Sequence, residues 1–333
     1  MASTSTLGGG PGSAQLDPRE ELQVPAGRYA PSPSGDLHLG NLRTGMLAWL
    51  FARWSEREFL LRFEDLDAER TVDGAEAQQF DDLSAVGLTF DSQHGHASTR
   101  QSERLGLYTE AIEQLTESGM TFECFCSRKD IREATRAPHA TPGTYPGTCR
   151  NLSEKERARR RAERPASLRL RADRDEDGAA PKVSTRDQLL GEITTEVDDF
   201  VLQRNDGAPA YNLAVVVDDH LTGVDQVVRG DDLAASAPSQ AYLRGLLYGA
   251  EAASEVVYAH VPLVLNPEGR RLAKRDGAVT RSALREQGLT DDALRDLLLD
   301  SLRLPAGPLA AALESFDPNR LPREPWVFRP ADL

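Results

Sequence analysis

The chain has 333 residues, of which 39% are hydrophobic and 28% are charged, and its formal net charge is −14. This length can bury a core across more than one domain, and the composition is ordinary for a soluble globular protein. The absence of any run of about 18 apolar residues argues against a membrane helix. Residues 1–27 lack the basic start and apolar run of a secretory signal, which favours a disordered extension and a cytoplasmic protein.

The first predicted elements alternate between strand and helix. Residues 27–31 predict a short strand, a Pro/Gly/Ser loop follows, and a helix with one apolar face starts at Gly40. The apolar run at 59–63 predicts a buried strand, and helices are expected at 75–86 and 103–118. A strand–helix–strand unit implies parallel strands joined by a right-handed crossover. The fold class expected is therefore α/β, with a Rossmann-like doubly wound parallel sheet.

The stretch 121–186 differs in character, because Cys, Pro, Gly and Arg are frequent and helical periodicity is short. We interpret it as a small α+β insertion between two halves of the α/β domain, 28–120 and 187–265. In the second half, runs at 200–204 and 210–217 flank an AsnAspGly turn. This pattern predicts a β-hairpin.

The remaining pattern continues the alternation. The predicted elements are a strand at 226–229, a helix near 234–248, a strand near 256–265, and helices near 280–287 and 291–302. Residues 266–333 are expected to form a loop and a short helical region with a Pro-rich, weakly structured end.

Charge is distributed unevenly along the chain. Residues 127–186 contain 16 Lys or Arg and nine Asp or Glu, although the whole chain is strongly acidic. The basic excess is densest at 150–174. A solvated helix face is the simpler interpretation, and local docking of a nucleic-acid phosphate backbone is the alternative.

The loop at 31–41, ProSerProSerGlyAspLeuHisLeuGlyAsn, has the features of an anion site. Gly35 and Gly40 allow the backbone to approach a ligand closely. His38 and Asn41 offer polar contacts, and the helix that follows presents unpaired N–H groups and a positive dipole end. By itself HisXaaGly is a weak signal. A basic loop, ArgLeuAlaLysArg, occurs some 230 residues later at 271–275.

Together these segments resemble the glutamyl branch of the class I aminoacyl-tRNA synthetases. Residues 28–44 resemble the first motif of that family, and 271–275 resemble the second motif, with Ala273 where a serine is usual. Intermediate segments at 61–67, 210–219 and 226–232 match in the same order. The resemblance implies a class I synthetase catalytic domain and a ligase that activates glutamate with ATP and Mg²⁺.

The resemblance also assigns roles to residues of this chain. The implied catalytic residues are His38 and Lys274, which stabilise charge on the triphosphate. ATP contacts are carried over onto His38, Gly40, Asn41 and Lys274. Glutamate contacts are carried over onto Arg28, Tyr29, Ala30, Pro31, Ser32, Glu64, Tyr211 and Arg229. In chemical terms the guanidinium of Arg28 suits the substrate side-chain carboxylate, and Glu64 suits its ammonium group. Ala273 removes one hydroxyl donor, so we expect weakened contact with ATP without loss of activity.

All three cysteines of the chain, Cys124, Cys126 and Cys149, lie within 26 residues. A disulfide would leave one thiol over and is not expected in a cytoplasmic protein. Thiolate ligands of a tetrahedral zinc ion explain the cluster better, but a fourth ligand is needed. The candidates are Tyr145 and His139, and ligand chemistry alone favours His139.

The spacing CysXaaCys…TyrXaa₃Cys resembles shortened paralogues of glutamyl-tRNA synthetases, in which a tyrosine completes the site. The resemblance therefore favours Tyr145, with one structural zinc ion per chain. Only 59 residues follow Lys274, which predicts that the helical anticodon-binding domain is missing. In these paralogues the acceptor is queuosine in the anticodon of tRNA(Asp). The implied partners are thus L-glutamate, ATP and the tRNA(Asp) anticodon loop, for a monomer without membrane contact.

Three alternatives stay open at this point. The chain could be a truncated synthetase that charges tRNA(Glu), a non-catalytic RNA-binding relic of a synthetase, or a nucleotidylyltransferase that shares the HisXaaGly loop. The departure at Ala273 supports the relic, and the intact His38, Glu64, Arg229 and Lys274 oppose it.

Overall fold

The computed structural model describes residues 24–92, 98–134, 145–272 and 279–329. The strands within these ranges are β1 Ala26–Tyr29, β2 Glu58–Phe63, β3 Thr99–Arg100, β4 Thr121–Cys124, β5 Ser167–Leu170, β6 Lys182–Asp187, β7 Gly191–Glu196, β8 Val201–Gln203, β9 Val224–Gly230, β10 Val257–Val261, β11 Val264–Leu265 and β12 Trp326–Val327. The helices are α1 Leu39–Trp54, α2 Ala75–Ala85, α3 Leu105–Glu117, α4 Arg128–Ala134, α5 Glu154–Arg161, α6 Tyr211–Leu221, α7 Ala237–Tyr248, α8 Ala250–Glu255, α9 Arg281–Glu286, α10 Asp291–Asp300 and α11 Leu309–Glu314.

A seven-stranded sheet in the order β3-β2-β1-β9-β10-β6-β7 forms the centre of the fold. All neighbouring pairs are parallel except β6 and β7. From β1 the chain runs through α1 to β2 on one side, and β9 lies on the other side, so the strand order changes direction between β1 and β9. Such a switch point in a parallel sheet opens a crevice at the carboxyl ends of the strands. The predicted α/β class with a mainly parallel sheet is confirmed.

The β1–α1–β2 unit is held by close packing of the helix on the sheet. Leu42, Met46 and Leu50 of α1 are fully buried. Gly27 in β1 permits this approach, because a Cβ atom there would lie 2.9 Å from the Cβ of Ala52. The sequence placed this unit correctly, since its apolar residues follow the helical and strand periods.

A smaller antiparallel sheet, in the order β4-β5-β8, carries the cysteine-rich part of the chain. β8 follows residue 186 in sequence yet pairs with β5, whereas β6 begins before residue 186 and belongs to the large sheet. The expected insertion 121–186 therefore does not coincide with the small sheet: most of β6 lies inside that range but belongs to the large sheet, and β8 lies outside it but belongs to the small sheet. The domain boundaries themselves stay a prediction.

The predicted hairpin at 200–217 is wrong in its second arm. The turn is present, with Arg204 N donating to Ala208 O at 2.8 Å. The residues after Ala210 form α6, in which Leu213 and Ala214 are fully buried. The run of three valines at 215–217 favours a strand by propensity, but burial on several sides overrides such a local preference.

The Pro-rich end is also more ordered than expected. It contains α11 and then β12, which pairs in parallel with β11. Phe328, just after β12, is fully buried. Over the ranges that the structure describes, none of the helices has both the length and the apolar character needed to cross a membrane.

Candidate active site

A cleft of about 630 Å³ opens at the carboxyl edge of the large sheet, around the switch point between β1 and β9. The predicted site residues that line it are Arg28, Tyr29, Ala30, Pro31, Ser32, His38, Gly40, Asn41, Glu64, Tyr211 and Arg229. Lys274 lies outside the described residues. The structure thus brings together residues that span about 200 positions of sequence, and their individual roles stay predictions.

The start of α1 fixes the imidazole of His38. His38 is the N-cap residue, and its Nδ1 accepts a hydrogen bond from Asn41 N at 3.3 Å. In return the Oδ1 atom of Asn41 accepts from His38 N at 3.2 Å. Such a reciprocal capping box holds both side chains against the helix end. With Nδ1 as an acceptor, the neutral ring carries its proton on Nε2, which can donate to a phosphate oxygen.

Gly40 provides the space that the His38 ring occupies. A Cβ atom at position 40 would lie 3.0 Å from His38 Cε1 and 3.1 Å from His38 Nδ1. Any larger residue would therefore displace the imidazole. The glycine of the HisXaaGly pattern therefore leaves room for the His38 imidazole, whether or not it also leaves room for a ligand.

Both flanks of the second-motif loop meet this cleft. At the start of the second motif, Arg271 lines the cleft and Leu272 N donates to Val264 O at 2.9 Å. After the loop, Val279 O accepts from Leu39 N at 2.8 Å. The two motifs, which are about 230 residues apart in sequence, therefore converge at one edge of the sheet.

Arg28, at the end of β1, is embedded in a network of buried charges. Its Nε atom lies 3.4 Å from Asp219 Oδ1, and its Nη1 donates to Val228 O at 3.4 Å. The same carboxylate receives Arg62 Nη1 at 2.6 Å. Burial by itself raises the pKa of Asp219, but Arg62 and Arg28 hold it below its ordinary value. Asp219 is thus an ionised group that orients two guanidinium groups.

Glu64 follows β2, and its carboxylate contacts the same network of buried charges. Its backbone N donates to Pro31 O at 3.0 Å, and its Oε1 accepts from Arg62 Nη2 at 3.3 Å. Burial raises the pKa of Glu64 above its ordinary value, against the opposing influence of Arg62 and Arg28. A ligand ammonium group beside Glu64 would favour the ionised form and restore a lower pKa.

Arg229, at the end of β9, is held by neutral partners. Its Nε donates to His260 Nε2 at 3.1 Å, and its Nη1 donates to Gln240 Oε1 at 2.9 Å and to the hydroxyl of Tyr211 at 3.3 Å. Behind it, His260 Nδ1 lies 2.6 Å from Asp187 Oδ2. Tyr211 is exposed in the cleft, whereas Arg229 and His260 are buried.

The predicted zinc ligands lie together at the end of β4, beside the small sheet. The sulfur atoms of Cys124, Cys126 and Cys149 are all within 4.8 Å of one another, with 3.6 Å between those of Cys126 and Cys149. The hydroxyl of Tyr145 is 3.4 Å from the sulfur of Cys124. A tetrahedral ion with Zn–S bonds of about 2.3 Å separates its sulfur ligands by about 3.8 Å. Three thiols and one phenol oxygen therefore fit a zinc ion, and His139 lies outside the described residues.

A second cleft, of about 940 Å³, connects the cysteine cluster with the first cleft. The two clefts share Ser32, Glu64, Arg70 and Tyr211. The basic residues along the second cleft are Arg70, Arg128, Arg164, Arg169 and Arg204. This continuous surface can receive an elongated, negatively charged ligand that reaches into the first cleft.

The basic run in α5 is largely paired within the chain. Arg159 and Arg160 both contact Glu156, at 2.7 and 2.9 Å. Arg161 contacts Glu123 at 2.6 Å. These pairs give a helix whose charges are mutually neutralised, which agrees with the simpler interpretation of this run. Two arginines of the second cleft are also paired, Arg164 with Asp130 at 3.5 Å and Arg204 with Asp206 at 2.6 Å. Their position in the cleft, and not a lack of partners, makes the cleft arginines candidates for phosphate contact.

Sequence reasoning missed the buried residues behind the two arginines of the site. Arg62 and Asp219 belong to the matching segments 61–67 and 210–219 without a role of their own, and nothing in the pattern marks Asp187 or His260. Their partners are distant in sequence, so no local spacing could have indicated them. The one available signal is that charged residues occur inside apolar strands.

The comparisons with known proteins agree with this geometry. Residues 26–316 match the family described as tRNA synthetases class I (E and Q), catalytic domain. A glutamyl-Q tRNA(Asp) synthetase of Nocardia farcinica is 56% identical, covering 92% of this chain and 96% of the relative. A glutamate–tRNA ligase of Listeria welshimeri is 33% identical, covering 90% of this chain and 63% of the relative.

A solved structure shows the same fold. The crystal structure of a glutamate tRNA ligase from Elizabethkingia meningosepticum, in complex with its amino acid, is 29% identical to this chain with a TM-score of 0.75. The match covers 92% of this chain and 67% of that one. On the extent of the family match and on these relatives, the chain belongs to the class I (E and Q) tRNA synthetase family, and most of its length is the catalytic domain.

Proposed function

We propose that this chain activates L-glutamate with ATP and transfers the glutamyl group to queuosine in the anticodon of tRNA(Asp). The observation that carries the proposal is the convergence of the first-motif loop and the flanks of the second-motif loop on one cleft. Arg28, Glu64 and Arg229 line the same cleft. The relative from Nocardia farcinica, which is similar over nearly its whole length, supports the choice of acceptor.

The first step forms an adenylate. The α-carboxylate oxygen of glutamate attacks the α-phosphorus of ATP, and the bond to the β-phosphate breaks with release of pyrophosphate. His38 Nε2–H and the Lys274 ammonium stabilise the negative charge that develops on the phosphate oxygens. Mg²⁺ carried with ATP would supply further charge neutralisation.

The amino acid is selected by opposite charges at the two ends of its site. Arg28 and Arg229 present guanidinium groups that match a carboxylate, and Glu64 presents a carboxylate for the ammonium group. Asp219 already occupies one side of Arg28. Arg229 has neutral partners, so an incoming carboxylate compensates its charge.

The second step transfers the acyl group. A hydroxyl oxygen of the queuosine cyclopentenediol attacks the carbonyl carbon of glutamyl-adenylate, AMP leaves, and the hydroxyl proton is released. The second cleft, with Arg128, Arg164 and Arg204, extends from Glu64 and Tyr211 of the first cleft toward the cysteine cluster. Unpaired loop bases with their phosphates suit such a surface, since proteins read RNA mostly at unstacked loops.

We also propose that Cys124, Cys126, Cys149 and Tyr145 bind one structural zinc ion. Four protein ligands leave no coordination position for a substrate, so the ion would stabilise the small sheet and the second cleft beside it. The donor set supports this role, since the three sulfur atoms lie within 4.8 Å of one another and the phenol oxygen of Tyr145 lies 3.4 Å from the sulfur of Cys124.

The test begins with ATP–pyrophosphate exchange in the absence of tRNA, measured with glutamate and with a panel of other amino acids. Glutamate-dependent exchange is expected, and no exchange with any amino acid would favour a non-catalytic relic. Radiolabelled glutamate is then offered with tRNA(Asp) carrying queuosine, tRNA(Asp) lacking queuosine, and tRNA(Glu). Incorporation is expected only in the first, and incorporation into tRNA(Glu) alone would overturn the proposal.

A further inference from the structure

The side chain of Arg229 has an anchored inner side and a loosely held outer side. On the inner side, Nε donates to His260 Nε2 at 3.1 Å and Nη1 donates to Gln240 Oε1 at 2.9 Å. On the outer side, the contacts to Tyr211, Leu233 and Ser236 are all 3.3 Å. Long contacts are the weaker ones, so a ligand carboxylate can replace the outer partners while the inner ones keep the guanidinium in place.

The protonation of the His260 ring follows from its neighbours. Arg229 has only donors, so Nε2 of His260 must be the acceptor and the ring proton lies on Nδ1. Nδ1–H then donates to Asp187 Oδ2 at 2.6 Å, and the same oxygen accepts from His260 N at 3.0 Å. The other oxygen of Asp187 accepts from the backbone N atoms of Leu189 and Leu190, both at 2.8 Å.

We propose that His260, fixed in its Nδ1–H tautomer by Asp187, is a positioning residue that orients the Arg229 guanidinium for the substrate carboxylate. The relay joins three neighbouring strands, since Asp187 ends β6, His260 lies in β10 and Arg229 lies in β9. The three side chains are buried. The proposal rests on the proposed function, because it concerns the same glutamate site.

Electrostatics supports a neutral ring at this place. Burial lowers the pKa of His260 below its ordinary value, and Arg229 lowers it further, although Asp187 opposes both. A charged imidazole would carry a second proton on Nε2, which would face the Arg229 donor, and its positive charge would repel the guanidinium. The neutral tautomer supplies the acceptor that a guanidinium requires.

Two substitutions at this position separate the two hydrogen bonds. In His260→Gln, the Oε1 atom can occupy the place of Nε2 and still accept from Arg229, whereas the donor to Asp187 is lost. In His260→Asn, the amide can reach Asp187 but no acceptor reaches Arg229. We expect the KM for glutamate in pyrophosphate exchange to rise about tenfold or more in His260→Asn and less than about threefold in His260→Gln. The KM for ATP should stay within about twofold in both variants.

A matched control removes another partly buried imidazole. His220 stacks on Tyr248 with 3.6 Å between ring centroids and does not line the cleft. His220→Asn should leave the KM for glutamate unchanged. Equal effects of His260→Gln and His260→Asn, or a parallel rise in the KM for ATP, would mean that the imidazole has a general structural role and would overturn the proposal.

The tautomer of His260 can also be tested directly on the wild-type protein, without an activity assay and without a variant that has to fold. Two-dimensional NMR of ¹⁵N-labelled histidine rings at neutral pH should show the His260 ring protonated at Nδ1 and unprotonated at Nε2, a neutral form. A ring protonated at Nε2 would contradict the proposed tautomer. If the wild type lacks glutamate-dependent exchange, the proposed function fails, and this NMR result still decides whether His260 can accept from Arg229.

Discussion

The guanidinium group of Arg28 faces both carboxylate oxygens of Asp219, with 3.4 Å from Nε to Oδ1 and 3.5 Å from Nη2 to Oδ2, although 191 residues separate them. Asp219 also accepts from Arg62 at 2.6 Å. In Asp219→Asn, two buried guanidinium groups lose their shared counter-charge, which typically costs about 3–5 kcal/mol. We expect a lower free energy of unfolding at pH 7 and a raised KM for glutamate.

The pH dependence of this stabilisation has a defined sign. The pKa of Asp219 is lower in the folded chain than its ordinary value of 3.8, so the stabilisation is complete above that value and is lost as pH falls through the lowered pKa. Denaturant titrations at pH 7 therefore measure its full size. Asp225→Asn, which breaks a partly exposed pair with Arg57, is the control and should cost about 1 kcal/mol or less. Equal losses in both variants would contradict the special role of Asp219.

Gly40→Ala tests the space that the glycine leaves for His38. The added methyl group would lie 3.0 Å from His38 Cε1, so the imidazole must move. Alanine is the better helix former by about 1 kcal/mol, so the melting temperature should not fall. We expect the exchange rate to fall about tenfold, equivalent to about 1.4 kcal/mol of transition-state stabilisation.

The matched control for this change is Gly106→Ala in α3, where a Cβ atom meets nothing within 4 Å. It should leave the exchange rate unchanged and raise the melting temperature slightly. Full activity in Gly40→Ala would show that the position of the His38 ring does not limit the reaction.

Arg271→Ala tests the nucleotide end of the cleft. Arg271 lines the cleft and its Nη1 lies 2.6 Å from Asp232 Oδ2. Because Arg271 is the first residue of the second motif, its removal should weaken ATP binding and raise the KM for ATP about tenfold. The neighbouring Arg270→Ala removes a residue that does not line the cleft and should change no kinetic constant. A raised KM for glutamate with an unchanged KM for ATP in Arg271→Ala would contradict this assignment.

The proposed zinc site predicts different effects on zinc binding when a sulfur ligand and when the oxygen ligand is removed. The protein as purified should contain one zinc ion per chain by elemental analysis. Cys149→Ser should lose the metal, because a neutral hydroxyl replaces a thiolate ligand. Tyr145→Phe keeps the ring under Arg169, whose guanidinium carbon is 3.9 Å from the ring centroid, and should retain zinc but release it faster to a chelator.

The control for the tyrosine change is Tyr242→Phe, which removes a hydroxyl that contacts Asp173. Its zinc release should match that of the wild type. Absorption spectra of the cobalt-substituted protein add a direct check, since Tyr145→Phe should shift the ligand-field bands while the sulfur-to-metal bands persist. Identical spectra would exclude Tyr145 as a ligand.

The sequence predicted most of the scaffold because its signals are local. The strand–helix–strand start and most of the later helices follow apolar periodicities that a single segment contains. The predicted hairpin after Asn205 was wrong because its valine run is buried in a helix packed between other helices and strands. No local pattern reveals such an environment. The pairing of Arg159 and Arg160 with Glu156, in contrast, follows from a local signal. Residues three and four positions apart lie on the same face of a helix and can form ion pairs.

The sequence predicted which residues line the cleft, but it did not predict the hydrogen bonds and ion pairs that hold them in place. Motif residues such as His38 and Glu64 lie in one cleft, as their positions after strands suggest. The groups that hold them, above all Asp219 and His260, come from other elements of the sheet and its helices. Their contribution depends on burial and on distances of a few tenths of an ångström, which only the folded chain defines.

The pairing of β12 with β11 joins the last part of the described chain to the side of the cleft where Val264 and Arg271 lie. Trp326 N donates to Leu263 O at 3.1 Å and Phe328 N donates to Leu265 O at 2.9 Å, and Val264 lines the cleft. Removing the chain from Trp326 onward would leave the buried position of Phe328 vacant. It would also remove the strand that pairs with β11, from which the chain continues to Arg271. Truncation experiments that remove β12 should therefore measure affinity for ATP as well as solubility, because β12 pairs with the strand that contains Val264 of the cleft.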